Sequence, residues 1–426
     1  MFKLDKIDLP QLGYRGLEAD LSEEEQAIQE VAHRFAEEVM RPIGEKLDKM
    51  TPEEVIAEGS PLHDYMRQIH ESGILDLGAL AEMDNQQKAR IFPIIFEELG
   101  WGDSGLAIAT LAASMPAFAA HTTGDPEIIE RFGSVPGCWL ATQPDRGSDV
   151  VDMRGKEVHE GTTQFRGNLT CRMEGDEVIV NGQSSAWVSY APLAQTALAY
   201  LPCDYGDGFV HENGRSLNII AVLIPLDLPG VSRGKPLDKL GQRALPQGEV
   251  FFNEVRVPGK YVIAAGEDAI TSVTAALTFA NMEMAATFTG VARAAYDLAL
   301  AYTHERIQGG APIIKHQSVR LRTFNLWQKV ETARALAHRV FSYNYSNNGP
   351  HLLASVTSKT YVTDTAFEVA SEALQLFGGN GLTREYAIEK ILRDARASMI
   401  EDGENNVLKL QGMNWLSEAY QHNKPA

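Results

Sequence analysis

Residues 276–306 read ALTFANMEMAATFTGVARAAYDLALAYTHER. The stretch is long, free of proline, and carries one apolar stripe at helical spacing. Two more of the same kind follow, HQSVRLRTFNLWQKVETARALAHRVFSYNY (316–345) and SVTSKTYVTDTAFEVASEALQLF (355–377). Short turns between long amphipathic helices predict an antiparallel bundle. GGNG at 378–381 ends the third helix as a glycine C-cap would.

Upstream the period changes. DEVIVNGQSSAWVSYA (176–191) alternates about Asn181-Gly182, which predicts a hairpin there. SLNIIAVLIP (216–225) and GEVFFNEVRVP (248–258) are β-branched or aromatic runs ended by Pro225 and Pro258. The first third is helical again. DLSEEEQAIQEVAHRFAEEVMRP (20–42) starts with a Ser22/Glu25 capping box, and Pro42 is expected to stop it. FPIIFEELGWGDSGLAIATLAASMPAFAAHTT (92–123) predicts a buried helix pair broken at Gly100 and Gly102. The fold class is α+β. A helical domain is expected over 1–135, a β domain over 136–265 and a helical bundle over 266–426.

Composition narrows the function. The net charge is −19 and the pI near 5.0. Nucleic acid and anionic membranes call for a basic surface, so neither is expected as a partner. The three cysteines, Cys138, Cys171 and Cys203, form no CxxC, so neither a disulfide framework nor a cysteine metal site is expected. MFKLDKIDLPQLGY lacks the apolar core of a signal peptide, and no run of about 18 apolar residues is apparent. A soluble cytoplasmic chain is the expectation. There is no G-x-G-x-x-G after a strand, no P-loop, no H-E-x-x-H and no G-x-S-x-G. Rossmann, P-loop, zincin and serine-hydrolase chemistry are therefore unsupported, and no metal is expected.

Several collinear pieces carry a resemblance: EELGWGDSG (97–105), LATQPDRGSDV (140–150), AWVSY (186–190), PGVSRGKPLDKLGQR (229–243), VFFNEVRVP (250–258), HERIQGGAPIIKHQSV (304–319) and LQLFGGNGLTREYAIEKILRDAR (374–396). In that order they resemble the acyl-CoA dehydrogenase family. The resemblance implies an N-terminal helical domain, a β-barrel-like middle domain and a C-terminal four-helix bundle. It also implies an FAD cofactor completed by a neighbouring subunit of a homotetramer or homodimer. The implied reaction is α,β-dehydrogenation of an acyl-CoA, a carboxylate taking the Cα proton and hydride passing from Cβ to flavin N5. The implied electron acceptor is an electron-transfer flavoprotein.

By the same resemblance Thr142, Trp187 and Ser189 contact the isoalloxazine, and Ser148 joins the cofactor site beside the acyl-CoA. On residue type alone, Ser148 and Asp149 form an Asx or ST turn. Arg306, Gln308, His316 and Gln317 are implied to reach a partner's FAD, with Arg306 at the pyrophosphate. Gln375, Gly378 and Gly379 are implied near the adenosine half. Asp145 and Arg146 replace small residues; they pair with each other or Arg146 meets an anionic substrate group.

MIEDGENNV (399–407) falls where the family keeps its catalytic glutamate, and Asp402 takes that place. Glu401 stands for an aromatic residue and Glu404 for a threonine. Without the resemblance the trio reads as the acidic first turn of a helix. The other location of a base in the family is Ala280 here, which cannot serve; Glu283 lies one turn on. Asn281 stands in place of an arginine that helps hold CoA. These departures leave a second reading: the same fold and FAD, but non-oxidative elimination, or oxidation of a carrier-protein-bound or non-thioester substrate. Extra residues also follow Val150.

Overall fold

The computed structural model describes residues 16–18, 21–75, 82–151, 166–210 and 217–423. The extra residues after Val150 fall largely outside these.

The N-terminal part is helical. Helix α1 (Glu23–Phe35) opens on the expected reciprocal Ser22/Glu25 box. Pro42 does not stop the chain. A π-helical turn (Ala36–Met40) leads straight into α2 (Arg41–Leu47), with Pro42 in its first turn. A first turn lacks intrahelical N–H partners anyway, so proline costs little there. After α3 (Pro52–Ile56) and α4 (Pro61–Ser72) come α5 (Asn85–Gly102) and α6 (Ser104–Thr123). They break at Asp103, whose carboxylate accepts from Leu106 N–H and caps α6. Helix α6 is long and apolar enough to cross a membrane, but 56% of its most apolar window is buried inside the protein. Helix α7 (Pro126–Phe132) closes the segment.

The middle is a mixed eight-stranded sheet in the order β10-β6-β5-β2-β3-β9-β7, with β1 (Gly137–Leu140) parallel to β5 (Thr196–Asp204). The hairpin is not at Asn181-Gly182. It joins β2 (Thr170–Glu174) to β3 (Glu177–Gln183) through Gly175 at φ +66°. Asn181-Gly182 lies inside β3 at a register shift against β9 (Val250–Pro258). Gly182 passes so close to Asn168 O that a Cβ would stand 2.1 Å from it. The glycine thus marks a close approach within the sheet, the other meaning glycine has in a strand. The remaining strands are β4 (Val188–Ser189), β6 (Ile219–Pro225), β7 (Val231–Arg233), β8 (Gln247–Gly248) and β10 (Val262–Ala265).

The C-terminal part is built on α8 (Glu267–Glu305). A two-residue ribbon, β11 (Ile307–Gln308) and β12 (Ala311–Pro312), follows it, then α9 (Gln317–Asn344) and α10 (Leu352–Phe377). Gly378 caps α10 at φ +59°. Helices α11 (Ile388–Ala397) and α12 (Asn405–His422) complete it. Helix α5 lies against α8 nearly backbone to backbone. A Cβ on Gly100 would be 1.9 Å from Thr287 O, and one on Gly290 would be 1.9 Å from Glu97 O. Beside this crossing Glu97 meets Arg293 and Arg334 at 2.9 Å each, while Glu98 meets Arg293 and His33. These charges are buried, yet each has an opposite neighbour, which is what makes their burial tolerable.

Candidate active site

Where the β sheet faces α6 and α8, the chain encloses a cavity of about 890 Å³. This lies within the range of roughly 300–1,000 Å³ typical of small-molecule sites.

One wall comes from the β domain. Thr142 and Ser185 share a hydroxyl–hydroxyl hydrogen bond of 2.6 Å, and Ser185 Oγ accepts from Trp187 N–H at 3.2 Å. Gln247 Nε2 donates to Trp187 O at 3.0 Å and to Ser189 Oγ at 3.2 Å. The indole of Trp187 is thereby held by its backbone while its ring stays open, 63% exposed. An open indole beside fixed hydroxyls is a platform for a flat ring carrying polar edge atoms. Lys239 backs this wall, donating to Leu245 O at 2.7 Å and Gln247 Oε1 at 2.8 Å; burial lowers its pKa to about 8, and the charge of Glu401 opposes that.

The opposite wall is α8, which presents Leu277, Phe279, Ala280 and Glu283, with Ile108, Leu111, Ala112 and Met115 from α6. Glu401, Asp402 and Gly403 close the cavity between the walls. Their loop is fastened from several sides. Asn281 Nδ2 donates to Asp402 O at 3.2 Å, and Lys359 Nζ donates to Gly403 O at 2.7 Å and Asn405 Oδ1 at 2.8 Å. Ser148 Oγ accepts from Glu404 N–H at 2.8 Å.

The three carboxylates of MIEDGENNV have three different surroundings. Glu404 is the N-cap of α12 and accepts from the N–H groups of Asn406 and Val407. Glu401 accepts from Gln242 Nε2 at 2.9 Å, and burial pushes its pKa up to about 7. Asp402 has no side-chain hydrogen bond or ion pair among the described residues. It sits at φ +50°, a left-handed conformation that aspartate tolerates better than glutamate. Burial raises its pKa, and the ammonium of Lys359 pulls the other way. Across the cavity burial pushes Glu283 up to about 8.

Of the residues singled out in the sequence, Thr142, Ser148, Trp187, Ser189 and Asp402 line this one cavity. Arg306, Gln308, His316, Gln317, Gln375, Gly378 and Gly379 do not; they are exposed on the bundle. Two of these groups converge, since Tyr302 at the end of α8 stacks on Phe377 at the end of α10, ring centroids 4.1 Å apart. Arg146 is paired, but with Asp149 at 3.2 Å rather than with Asp145, and Gly147 N–H donates to Asp149 Oδ1 at 2.7 Å. The GSD segment is therefore not an Asx turn, because Asp149 bonds two residues back instead of two residues on; its Gly147 and Ser148 line the site. Lys239, Gln242, Gln247, Ser185 and Lys359 were not singled out from the sequence. Only Lys359 carried a signal: a lysine between Ser355 and Thr363 on the buried stripe of α10.

Comparison with known proteins agrees with this architecture. Residues 270–416 match the family model described as acyl-CoA dehydrogenase, C-terminal domain. A probable acyl-CoA dehydrogenase of Bacillus subtilis, YngJ, is 26% identical over 401 residues, 92% of this chain and 97% of the relative. Benzylmalonyl-CoA dehydrogenase of Aromatoleum aromaticum is 28% identical over 411 residues, 92% and 98% of the two chains. A glutaryl-CoA dehydrogenase from Mycobacterium smegmatis, solved in complex with FADH2, superposes with a TM-score of 0.77 at 21% identity, covering 94% of this chain and 97% of the other. Helical, β and helical parts around one cavity are thus the acyl-CoA dehydrogenase fold. Residues 270–416 carry the C-terminal domain of the acyl-CoA dehydrogenase family, and nearly the whole chain is similar to these FAD-dependent oxidoreductases acting on CH–CH donors.

The residues present fit the isoalloxazine half of FAD. The open Trp187 face, the Thr142 and Ser189 hydroxyls and the volume of the cavity are what that ring needs.

Proposed function

We propose that this chain dehydrogenates an acyl-CoA between Cα and Cβ, with Asp402 as the base that takes the Cα proton. One observation carries the assignment of the base. Glu404 is engaged as a helix cap and Glu401 is held by Gln242, while Asp402 turns an unpaired carboxyl to the cavity.

A base must combine access with a pKa near working pH. Asp402 has access, and burial raises its pKa while Lys359 keeps it from rising further. Its side chain is one methylene shorter than glutamate. Fixing the loop compensates, because Asn281 holds the carbonyl of Asp402 and Lys359 that of Gly403. Asn281 thus replaces a carrier contact with a loop contact. The backbone N–H of Asp402 has no partner among the described residues and is available to the thioester oxygen, where charge grows as the proton leaves. Bound against Trp187, Thr142 and Ser189, FAD supplies the two-electron acceptor for the β-hydrogen. The apolar side chains of α6 and α8 keep water from the reacting carbons.

We extend the same reading to the assembly. Arg306, Gln308, His316, Gln317, Gln375, Gly378 and Gly379, exposed on the bundle, serve the adenosine and pyrophosphate half of a neighbour's FAD in a homotetramer or homodimer. An electron-transfer flavoprotein reoxidises the enzyme, in the cytoplasm. The test is anaerobic mixing of the FAD-loaded protein with a panel of acyl-CoAs. Bleaching of the flavin band with formation of enoyl-CoA is the expected result. Turnover with the flavin still oxidised would instead favour non-oxidative elimination, a reading supported by a second carboxyl group, Glu283, in the same cavity.

A further inference from the structure

Glu283 is the one acidic residue on the α6–α8 side of the cavity among the described residues. The rest of the lining contributed by α6 and α8 is apolar, Ile108, Leu111, Ala112, Met115, Leu277 and Phe279 among it. It is 5% exposed. Its Oε1 accepts from Thr287 Oγ1 one turn along α8, while Oε2 has no partner among the described residues. A carboxyl oxygen without a hydrogen-bond partner becomes costly once an apolar ligand strips it of water. Nothing in the fold requires it. Thr287 needs no carboxyl partner, since a threonine in a helix can bond to a main-chain carbonyl of the preceding turn, as Thr289 does here. Oε2 is not among the fully buried atoms, and the side chain that carries it lines the cavity.

Building on the acyl-CoA reading, we propose that Glu283 is a specificity-determining residue: its free oxygen is a hydrogen-bonding seat for a neutral hydroxyl or carbonyl on the acyl group. Thr287 fixes the direction. Its hydroxyl donates to one oxygen, so the other is the one that bears the proton and donates. Burial, reinforced by the charges of Asp402 and Glu401, keeps the proton on Glu283 at neutral pH. A protonated carboxyl donates to a neutral oxygen; a seat for an ammonium group would need it ionised. A plain alkyl chain would leave the buried carboxyl unpartnered, and discrimination follows from that mismatch.

The test uses the FAD-loaded wild type first, so that it does not depend on a variant folding. Acyl-CoAs of matched length are compared by kcat/KM for anaerobic flavin reduction and by calorimetric Kd. One set is plain alkyl, one carries a hydroxyl or keto oxygen walked from Cγ to the chain end, and one carries an ammonium group. At one position of the oxygen, kcat/KM is expected to exceed that of the alkyl chain at least about tenfold, the worth of one good hydrogen bond. Glu283→Gln keeps a donor and is expected to keep most of that ratio; Glu283→Leu is expected to erase it. Equal or better use of alkyl chains at every position overturns the proposal, as does a preference for the ammonium set. Loss of reduction by every acyl-CoA in Glu283→Gln, with fold and flavin spectrum intact, also overturns it and makes Glu283 the base. No reduction by any member of the panel in the wild type would strike first at the acyl-CoA reading itself.

Discussion

Replacing Lys359 by methionine removes a charge the fold holds at a cost. The side chain is 0% exposed, and burial lowers its pKa from 10.5 to about 8 against the pull of Asp402, Glu401, Glu404 and Asp364. An unfolded lysine binds the proton more tightly than this folded one, so stability rises with pH between about 8 and 10.5. At about 1.4 kcal/mol per pH unit, the charged form costs about 3 kcal/mol at pH 7. Two buried hydrogen bonds, to Gly403 O and Asn405 Oδ1, act in the opposite direction. Losing them leaves buried acceptors unsatisfied, at about 1–3 kcal/mol each. Lys359→Met is therefore expected to unfold within about 2 kcal/mol of the wild type at pH 7, yet to lose the gain in stability between pH 8 and 10.5. Its effect on catalysis is larger. With the cation gone, the pKa of Asp402 rises and the acid limb of the flavin-reduction profile moves to higher pH. Denaturant titrations at several pH values, paired with rapid-mixing reduction rates, measure both. A variant that keeps the wild-type pH dependence of stability and of rate would show that Lys359 neither strains the fold nor governs the base.

Asp402→Asn keeps the size and removes the proposed base; flavin reduction by acyl-CoA should fall by about 10²–10⁴ while the bound-flavin spectrum persists. Gly290→Ala places a methyl against Glu97 O and should destabilise the protein by about 1–3 kcal/mol, seen as a lower melting temperature. Burial raises Glu98, but Arg293 and His33 outweigh it and bring the carboxyl down to about 2. Its folded pKa lies below the ordinary glutamate value of 4.5, so its contribution is complete above pH 4.5 and is lost as pH falls towards 2. Glu98→Gln should flatten acid unfolding in that window while lowering stability at pH 7.

Local physics made much of this chain legible. Long helices, the Ser22 capping box and the glycine stop at Gly378 depend on neighbours a few residues apart, and the fold keeps them; the single stripe expected of α8 is not kept, since residues 281–295 are buried on every face. Pro42 and Asn181-Gly182 have two local meanings each, and context chose the other one. A π-helical turn set Pro42 into a helix start, and the approach of Asn168 O made Gly182 a close-packing residue. The cavity was legible only in part. Thr142, Ser148, Trp187, Ser189 and Asp402 could be named because they stand in recognisable pieces of sequence. Gln242 and Gln247 could not, because their partners, Glu401 for the first and Trp187 and Ser189 for the second, lie far along the chain.

MIEDGENNV shows where the division falls. The sequence by itself determined that three carboxylates and a glycine stand at the start of a last helix. Only the tertiary structure decided that they are not equivalent. Glu404 finds the N–H groups of its own helix, Glu401 finds Gln242 from the β domain, and Asp402 is left facing the cavity. The reason is that a carboxylate's chemistry is set by desolvation and by nearby charges and donors. For Asp402 these come from Lys359, 43 positions upstream, and Asn281, 121 upstream, which no spacing within the motif encodes.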